Sequence, residues 1–204
     1  DHDQNFEIFD ISKYQIDRGK LIDDVNPNYC RYKIESGGIS PRAFAGSGNF
    51  FIANSDEHDE QGYSTEEIST RNFQMHKRMK KLETCAKNHL PSPTLNGPEV
   101  ADLTIVSRGS NKGPILESLK KFSSVNYIHL TWINPFPTQE IASLLNKSKR
   151  LLNIECNFSA QMGGLIKERT GIEIADNLLK YNGRPFFVEE ITEKIGAVLK
   201  GSLT

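Results

Sequence analysis

The feature that narrows the fold most is an alternation, over residues 99–200, of short apolar runs with longer amphipathic stretches. VADLTIVS (Val100–Ser107), VNYIHL (Val125–Leu130) and RLLNIEC (Arg150–Cys156) are apolar runs of six to eight residues, the pattern of buried strands. GPILESLKKF, TQEIASLLNK and SAQMGGLIKERTG follow them in turn as helical stretches. Pro114 suits a first helical position, Thr138 an N-cap and Gly171 a helix end. IEIADNLLK adds a further strand and VEEITEKIGAVLK a last helix. Strand–helix alternation of this kind predicts an open, mostly parallel sheet with flanking helices and right-handed crossovers.

The first half of the chain reads differently. Residues 1–35 show no sustained period and suit an extended arm lying on another surface. Ser36–Gly62 (SGGISPRAFAGSGNFFIANSDEHDEQG) packs glycines, a Ser-Pro-Arg and an acidic knot around NFFIAN, an apolar run predicted to be a short buried strand. Residues 64–89 read as one long helix with Ser64 and Glu67 as a capping box. Ile68, Met75, Met79, Leu82 and Ala86 line one face of it, and Pro91 and Pro93 end it. PSPTLNGP (91–98) reads as a linker, which divides the chain into an arm, Gly-rich segment and long helix (1–98) and an α/β domain (99–204).

Composition bounds what such a chain does. The net charge is −1, so nothing in the overall field calls for a nucleic acid partner. Even with its 15 glycines counted, a 37% apolar content stays below the roughly 45–50% usual for a domain standing alone. Such polarity suits a piece that leans on other subunits. No apolar run approaches the ~20 residues that span a bilayer, and no charged-then-apolar leader points to secretion. The 3 cysteines, Cys30, Cys85 and Cys156, form no CxxC pair, which disfavours an iron–sulfur or zinc site housed here and suits a reducing cytoplasm. The chain opens on Asp1 rather than methionine, as a cleaved product or a fragment would.

Ligands of open parallel sheets gather at the carboxyl ends of the strands. Three loops are expected there: Arg108–Gly113, Thr131–Pro137 and Asn157–Gly164. Gly109, Ser110 and Lys112 offer backbone N–H groups, a hydroxyl and a charge to an anion or to a contacting subunit, or form a purely structural turn. The spacing is not that of a P-loop, and no GxSxG elbow or Rossmann GxGxxG is present, so no catalytic residue is assigned. Trp132 and Phe136, between rigid prolines, suit an interface. Cys156 is expected to be a buried small hydrophobe. The acids of DEHDE match no EF-hand and have no second ligand cluster, so no metal is assigned; they are expected to support a helix N-terminus. His58 is expected to pair with a carboxylate or a neighbouring chain. Lys77 and Arg78, in the basic middle of the long helix, are either a solvated face, a docking surface for a partner or a phosphate contact, and Arg42 is a further interface candidate.

Several words of the chain occur together in one known family. RG at Arg18-Gly19, RYKI at Arg31–Ile34, GISPRA at Gly38–Ala43, SDEHDEQG at Ser55–Gly62 and MHKRMKK at Met75–Lys81 come first. GS at Gly109-Ser110, NPFP at Asn134–Pro137 and ECNFSAQMGGL at Glu155–Leu165 follow in the same order. In this the chain resembles the C-terminal portion of the α subunit of the 2-oxoacid:ferredoxin oxidoreductases, of the pyruvate or 2-oxoglutarate synthase type. It carries SGGI where SGI is usual and ECN where an EQN-type word is usual. The resemblance implies a transketolase C-terminal-like fold for residues 99–204. It also implies an enzyme that decarboxylates a 2-oxoacid oxidatively with thiamine diphosphate and Mg2+, passes the acyl group to coenzyme A, and reduces ferredoxin through a 4Fe–4S cluster. The diphosphate and cluster motifs belong to a partner β subunit, and no YPITP-like word is found here. By this reading the chain is not catalytic alone and needs the β subunit and the remaining α-subunit domains. The alternatives are a stand-alone α/β anion-binding module or a protein-interaction module.

Overall fold

In the computed structural model, which describes residue 8 and residues 10–201, the chain divides into two compact units, residues 1–84 and 85–204. The helix α1 (Ile68–Asn88) runs across the division.

The second unit carries one five-stranded sheet in the order β1-β3-β2-β4-β5. Its strands are β1 (Thr94–Asn96), β2 (Ala101–Arg108), β3 (Val125–Leu130), β4 (Ser148–Glu155) and β5 (Asp176–Leu179). β2, β3, β4 and β5 pair in parallel, and β1 is antiparallel to β3. The helices α2 (Lys112–Leu119), α3 (Thr138–Leu145), α4 (Gln161–Thr170) and α5 (Val188–Lys200) alternate with the strands as predicted. β2 is buried along nearly its whole length, as a central parallel strand covered on both faces must be. Successive side chains of a strand point to opposite faces, and here they feed two separate cores. Leu103, Ile105, Tyr127, Leu152 and Ile154 pack with Ile115 of α2 and with Ile191 and Ile195 of α5. Val106, Ile128 and Leu130 pack with Ile141 of α3 and with Met162 and Ile166 of α4.

Helix ends match the sequence in part. Gly171 closes α4 in the left-handed region at φ 76°, as expected. The expected cap at Thr138 is absent: Pro137 precedes α3, and the Thr138 hydroxyl turns back to the Phe136 carbonyl. The α5 start is fixed instead by Glu190, whose carboxylate accepts from the Phe187 N–H at 2.7 Å. The supposed linker contains β1, because an edge strand tolerates the flanking prolines, which have no N–H to give. Gly97 then turns the chain at φ +103°, where a Cβ would lie 2.8 Å from the Val125 carbonyl oxygen.

The first unit has little regular structure apart from α1. NFFIAN is not a strand: Phe50 is 92% exposed and the segment joins no ladder. Side chains at its two ends hold it. Asn49 accepts from the Asn26 N–H at 2.8 Å, and Asn54 donates to the Gly62 carbonyl at 2.6 Å. α1 begins at Ile68, not at Ser64, and Thr65 rather than Ser64 accepts from the Glu67 N–H. Its predicted apolar stripe does not face a core either, since Ile68 is 77% exposed and Met75 and Met79 are exposed too. The buried positions are Gln74 and Lys77. The early arm is largely irregular, with one 3-10 turn at Ile11–Lys13 held by Asp10 and a single bridge between Leu21 and Arg42.

Candidate functional site

One concave site in each unit gathers most of the candidate residues. In the second, the connections after β2 and β4 leave toward opposite edges of the sheet, because β3 and β5 lie on opposite sides of that pair. A crevice opens at such a switch point. Here it is a cleft of about 450 Å³ lined by Arg108–Asn111 after β2, Glu155–Asn157 after β4, and Gln161, Met162 and Leu165 of α4. Gly109 and Ser110 stand in it as predicted. Lys112 lies outside the lining, exposed at the start of α2, and the Thr131–Pro137 loop contributes only Ile133. Trp132 is half-buried, and Phe136 packs against the core beneath α3 and α4.

The group that organises this cleft is Glu155, only 4% exposed at the end of β4. Its carboxylate accepts from the Met162 and Gly163 N–H groups at 3.0 Å and from the side-chain amides of Asn153 at 2.7 Å and Asn157 at 2.6 Å. Burial works against its charge, but these donors together outweigh burial and hold its pKa below the ordinary glutamate value. Glu155 thus fills the N-terminal end of α4 from within the chain. The loop between is tied by Asn157, which accepts from Ser159 N–H, and Ala160 sits in the left-handed region at φ 50°. Across the cleft, the buried Asn111 donates to the Ser107 hydroxyl at 3.1 Å. Cys156 is exposed, not buried: β4 ends one residue earlier, and its thiol points to the Asn111 Oδ1 at 3.2 Å.

The first unit holds a pocket of about 550 Å³, and the four interface candidates Arg42, His58, Lys77 and Arg78 all line it. The SGGI segment builds one wall. Gly38, at φ +73°, lies so close to α1 that a Cβ would sit 2.5 Å from both the Lys77 carbonyl and the Lys81 nitrogen. The acidic knot folds as a turn. Asp59 accepts from the N–H groups of Gln61, Gly62 and Tyr63, and Glu60 accepts from Ile34 N–H at 2.6 Å. Glu57 forms a two-pronged pair with Arg78 at 3.1 and 2.8 Å, and that guanidinium keeps its carboxyl below the usual range. Among the described residues His58 pairs with no carboxylate: its Nδ1 is 2.8 Å from the Asp56 carbonyl, and its ring lies 3.8 Å from that of Tyr32. Lys77, 9% exposed, donates to the Tyr32 carbonyl at 2.5 Å. Burial first, then the neighbouring Arg31, lowers its pKa to about 8.

Sequence reasoning found Gly109, Ser110 and the basic segment but missed Glu155, Asn111 and Tyr32. Glu155 had a readable signal, a lone carboxylate ending an apolar run just ahead of a helix start.

Fold and cleft define an open α/β domain with its crevice at the carboxyl ends of the parallel strands. Relatives make the assignment specific. The chain is 31% identical over 199 residues to subunit alpha of 2-oxoacid:ferredoxin oxidoreductase 1 from Sulfurisphaera tokodaii, covering 96% of this chain and 31% of that protein. It is 33% identical over 201 residues to subunit alpha of 2-oxoacid:ferredoxin oxidoreductase 2 from Aeropyrum pernix, covering 95% of this chain and 31% of that one. The fold matches a 2-oxoglutarate:ferredoxin oxidoreductase from Magnetococcus marinus, solved with 2-oxoglutarate, coenzyme A and succinyl-CoA bound. That likeness has a TM-score of 0.77 at 23% identity and covers 92% of this chain and 33% of the other. No family model matches the chain. The chain is thus a homologue of the α subunits of 2-oxoacid:ferredoxin oxidoreductases, which are parts of an oxidoreductase complex, and it spans about a third of their length.

Proposed function

We propose that the chain is the C-terminal, supporting portion of the α subunit of a 2-oxoacid:ferredoxin oxidoreductase of the cytoplasm. The whole enzyme would convert a 2-oxoacid to an acyl-CoA by thiamine diphosphate-dependent oxidative decarboxylation and pass the electrons to ferredoxin. The observation that carries this reading is identity of 31–33% sustained along 95–96% of the chain to α subunits of that name.

What this chain adds is positioning. By the family resemblance, Mg2+ and the iron–sulfur cluster of the whole enzyme are assigned to the partner β subunit. Thiamine diphosphate supplies the carbanion chemistry when bound in the assembled enzyme. The residues here set rigid walls. Glu155 fixes the loop between β4 and α4, and Gly38 seats the SGGI segment on α1.

The test is reconstitution. The complete α subunit containing this segment, co-expressed with its β subunit, should reduce ferredoxin only when a 2-oxoacid and coenzyme A are both supplied. The present chain alone should give no turnover. An assembled complex without 2-oxoacid-dependent reduction would refute the reading.

A further inference from the structure

A helix turns about 100° per residue, so positions three, four and seven apart share a face. On one side of α1, Gln74 and Lys77 are buried, and the Thr84 hydroxyl donates to the Gly37 carbonyl at 2.7 Å. That side is taken up by the first unit. Ile68, Asn72, Met75, Met79 and Leu82 follow one another at spacings of four, three, four and three, and they fall on nearly the opposite side. Ile68 is 77% exposed, Met75 39% and Met79 48%, while Leu82 is half-buried. This alternation of fours and threes is the seam of a helix that packs along another helix, and a single Asn within such a seam fixes register. Two methionines at its centre suit an adaptable contact. Charge and size then say what lies on it. α1 carries six Lys and Arg (Arg71, Lys77, Arg78, Lys80, Lys81 and Lys87) against one acid, Glu83. Arg71 and Arg78, along one border of the seam, share the single carboxylate of Glu57 at 3.9 and 2.8 Å. A second copy of α1 would bring like charges together, whereas a helix bordered by Asp and Glu would neutralise them. From Ile68 to Leu82 the seam is about 21 Å long, and a strip one helix wide (about 10 Å) covers roughly 200 Å². A stable interface between separate molecules buries about 800 Å² on each. So small a strip holds its partner when the two belong to one polypeptide, where high effective concentration makes up for area. The chain spans about a third of its relatives' length.

We propose that the outward seam of α1 is covered by an amphipathic helix from the remaining α-subunit domains, with apolar side chains on Met75 and Met79 and Asp or Glu beside Arg71 and Arg78. The inference rests on the proposed function in placing this chain within a longer α subunit, and it adds the surface and the kind of helix that completes it.

The experiment is peroxide footprinting of the complete α subunit assembled with its β subunit, with methionine sulfoxide at each site read by peptide mass spectrometry. Met162, 4% exposed in the second unit, is the internal reference for a buried thioether. Met75 and Met79 should oxidise about tenfold more slowly than in the same protein unfolded in urea. Met79→Glu should raise Met75 oxidation about fivefold with Met162 unchanged, and Met79→Leu should leave Met75 protected. A benzophenone side chain at the same position, Met79→p-benzoylphenylalanine, should photocouple to an Asp- and Glu-bordered helix of the α subunit outside the present chain. Oxidation of Met75 and Met79 at the unfolded rate would overturn the proposal, as would coupling to the β subunit, to a second α1 or to a helix without bordering acids. Turnover with both methionines freely oxidised would sink this inference alone. Protection and α-subunit coupling without 2-oxoacid-dependent turnover would sink the chemistry of the proposed function and leave this inference standing.

Discussion

The two units of this chain are held together by different physics. Of the 21 buried apolar residues among those described, only Ala43 belongs to the first unit; the other 20 lie in the second. The second unit is an apolar sandwich whose strands pair along a ladder. The first is a set of loops tied to one helix by side-chain-to-backbone hydrogen bonds, with Asn49, Gln74 and Lys77 as its buried polar groups. Burial of apolar surface supplies most folding free energy. The second unit therefore has what it needs to fold by itself, whereas the first depends on being packed against something larger. A chain spanning about a third of its relatives supplies the context for that contrast.

The largest expected effect breaks the second unit. Ile154→Ala, at a fully buried site in the core beneath α2 and α5, should cost about 2–5 kcal/mol in urea unfolding followed by Trp132, the sole tryptophan. Accessibility of the Cys30 thiol, in the first unit, should not change. Next comes Lys77, whose pKa is lowered from 10.5 to about 8. The folded state then binds fewer protons than the unfolded state between those values, so stability of the first unit rises with pH across that window. The full swing is about 3 kcal/mol, read as slower Cys30 labelling relative to Lys77→Met at matched pH. A parallel pH response in Lys77→Met would contradict this.

Gly38→Ala should follow at about 2–3 kcal/mol, from a positive φ and a Cβ pressed onto the α1 backbone. Cys30 labelling should accelerate while Trp132 fluorescence holds. The smallest effect sharpens the site. Glu155→Gln should cost about 1–2 kcal/mol in the second unit, because an amide cannot accept from all the donors that converge there. The Glu155 pKa is lowered from 4.5, so its contribution is present above that pH and is lost as pH falls through the folded value. The variant should flatten acid unfolding in that range.

Legibility followed the same divide. The ladder of the second unit was readable because apolar run length and helical period report burial directly, and α5 runs over the predicted Val188–Lys200. In the first unit the same signals misled. The stripe Ile68, Met75 and Met79 has helical spacing yet is exposed, because a carbonyl at Tyr32, 45 residues away from Lys77, decides which face of α1 is covered. NFFIAN is apolar enough for a strand, but strand formation needs a partner edge, and the segment pairs with none among the described residues. Arg42, His58, Lys77 and Arg78 were chosen one by one from local words; that they share a pocket is a consequence of long-range folding.

The part of the proposal open to the most direct test is that the first unit is completed by the rest of the proposed α subunit while the second folds without it. Amide hydrogen exchange of this chain by itself and within the assembled α–β enzyme tests it directly. Protection of residues 30–62 should rise at least tenfold on assembly, with the amides of β2, β3 and β4 unchanged. Equal protection of residues 30–62 in the two samples would contradict the account.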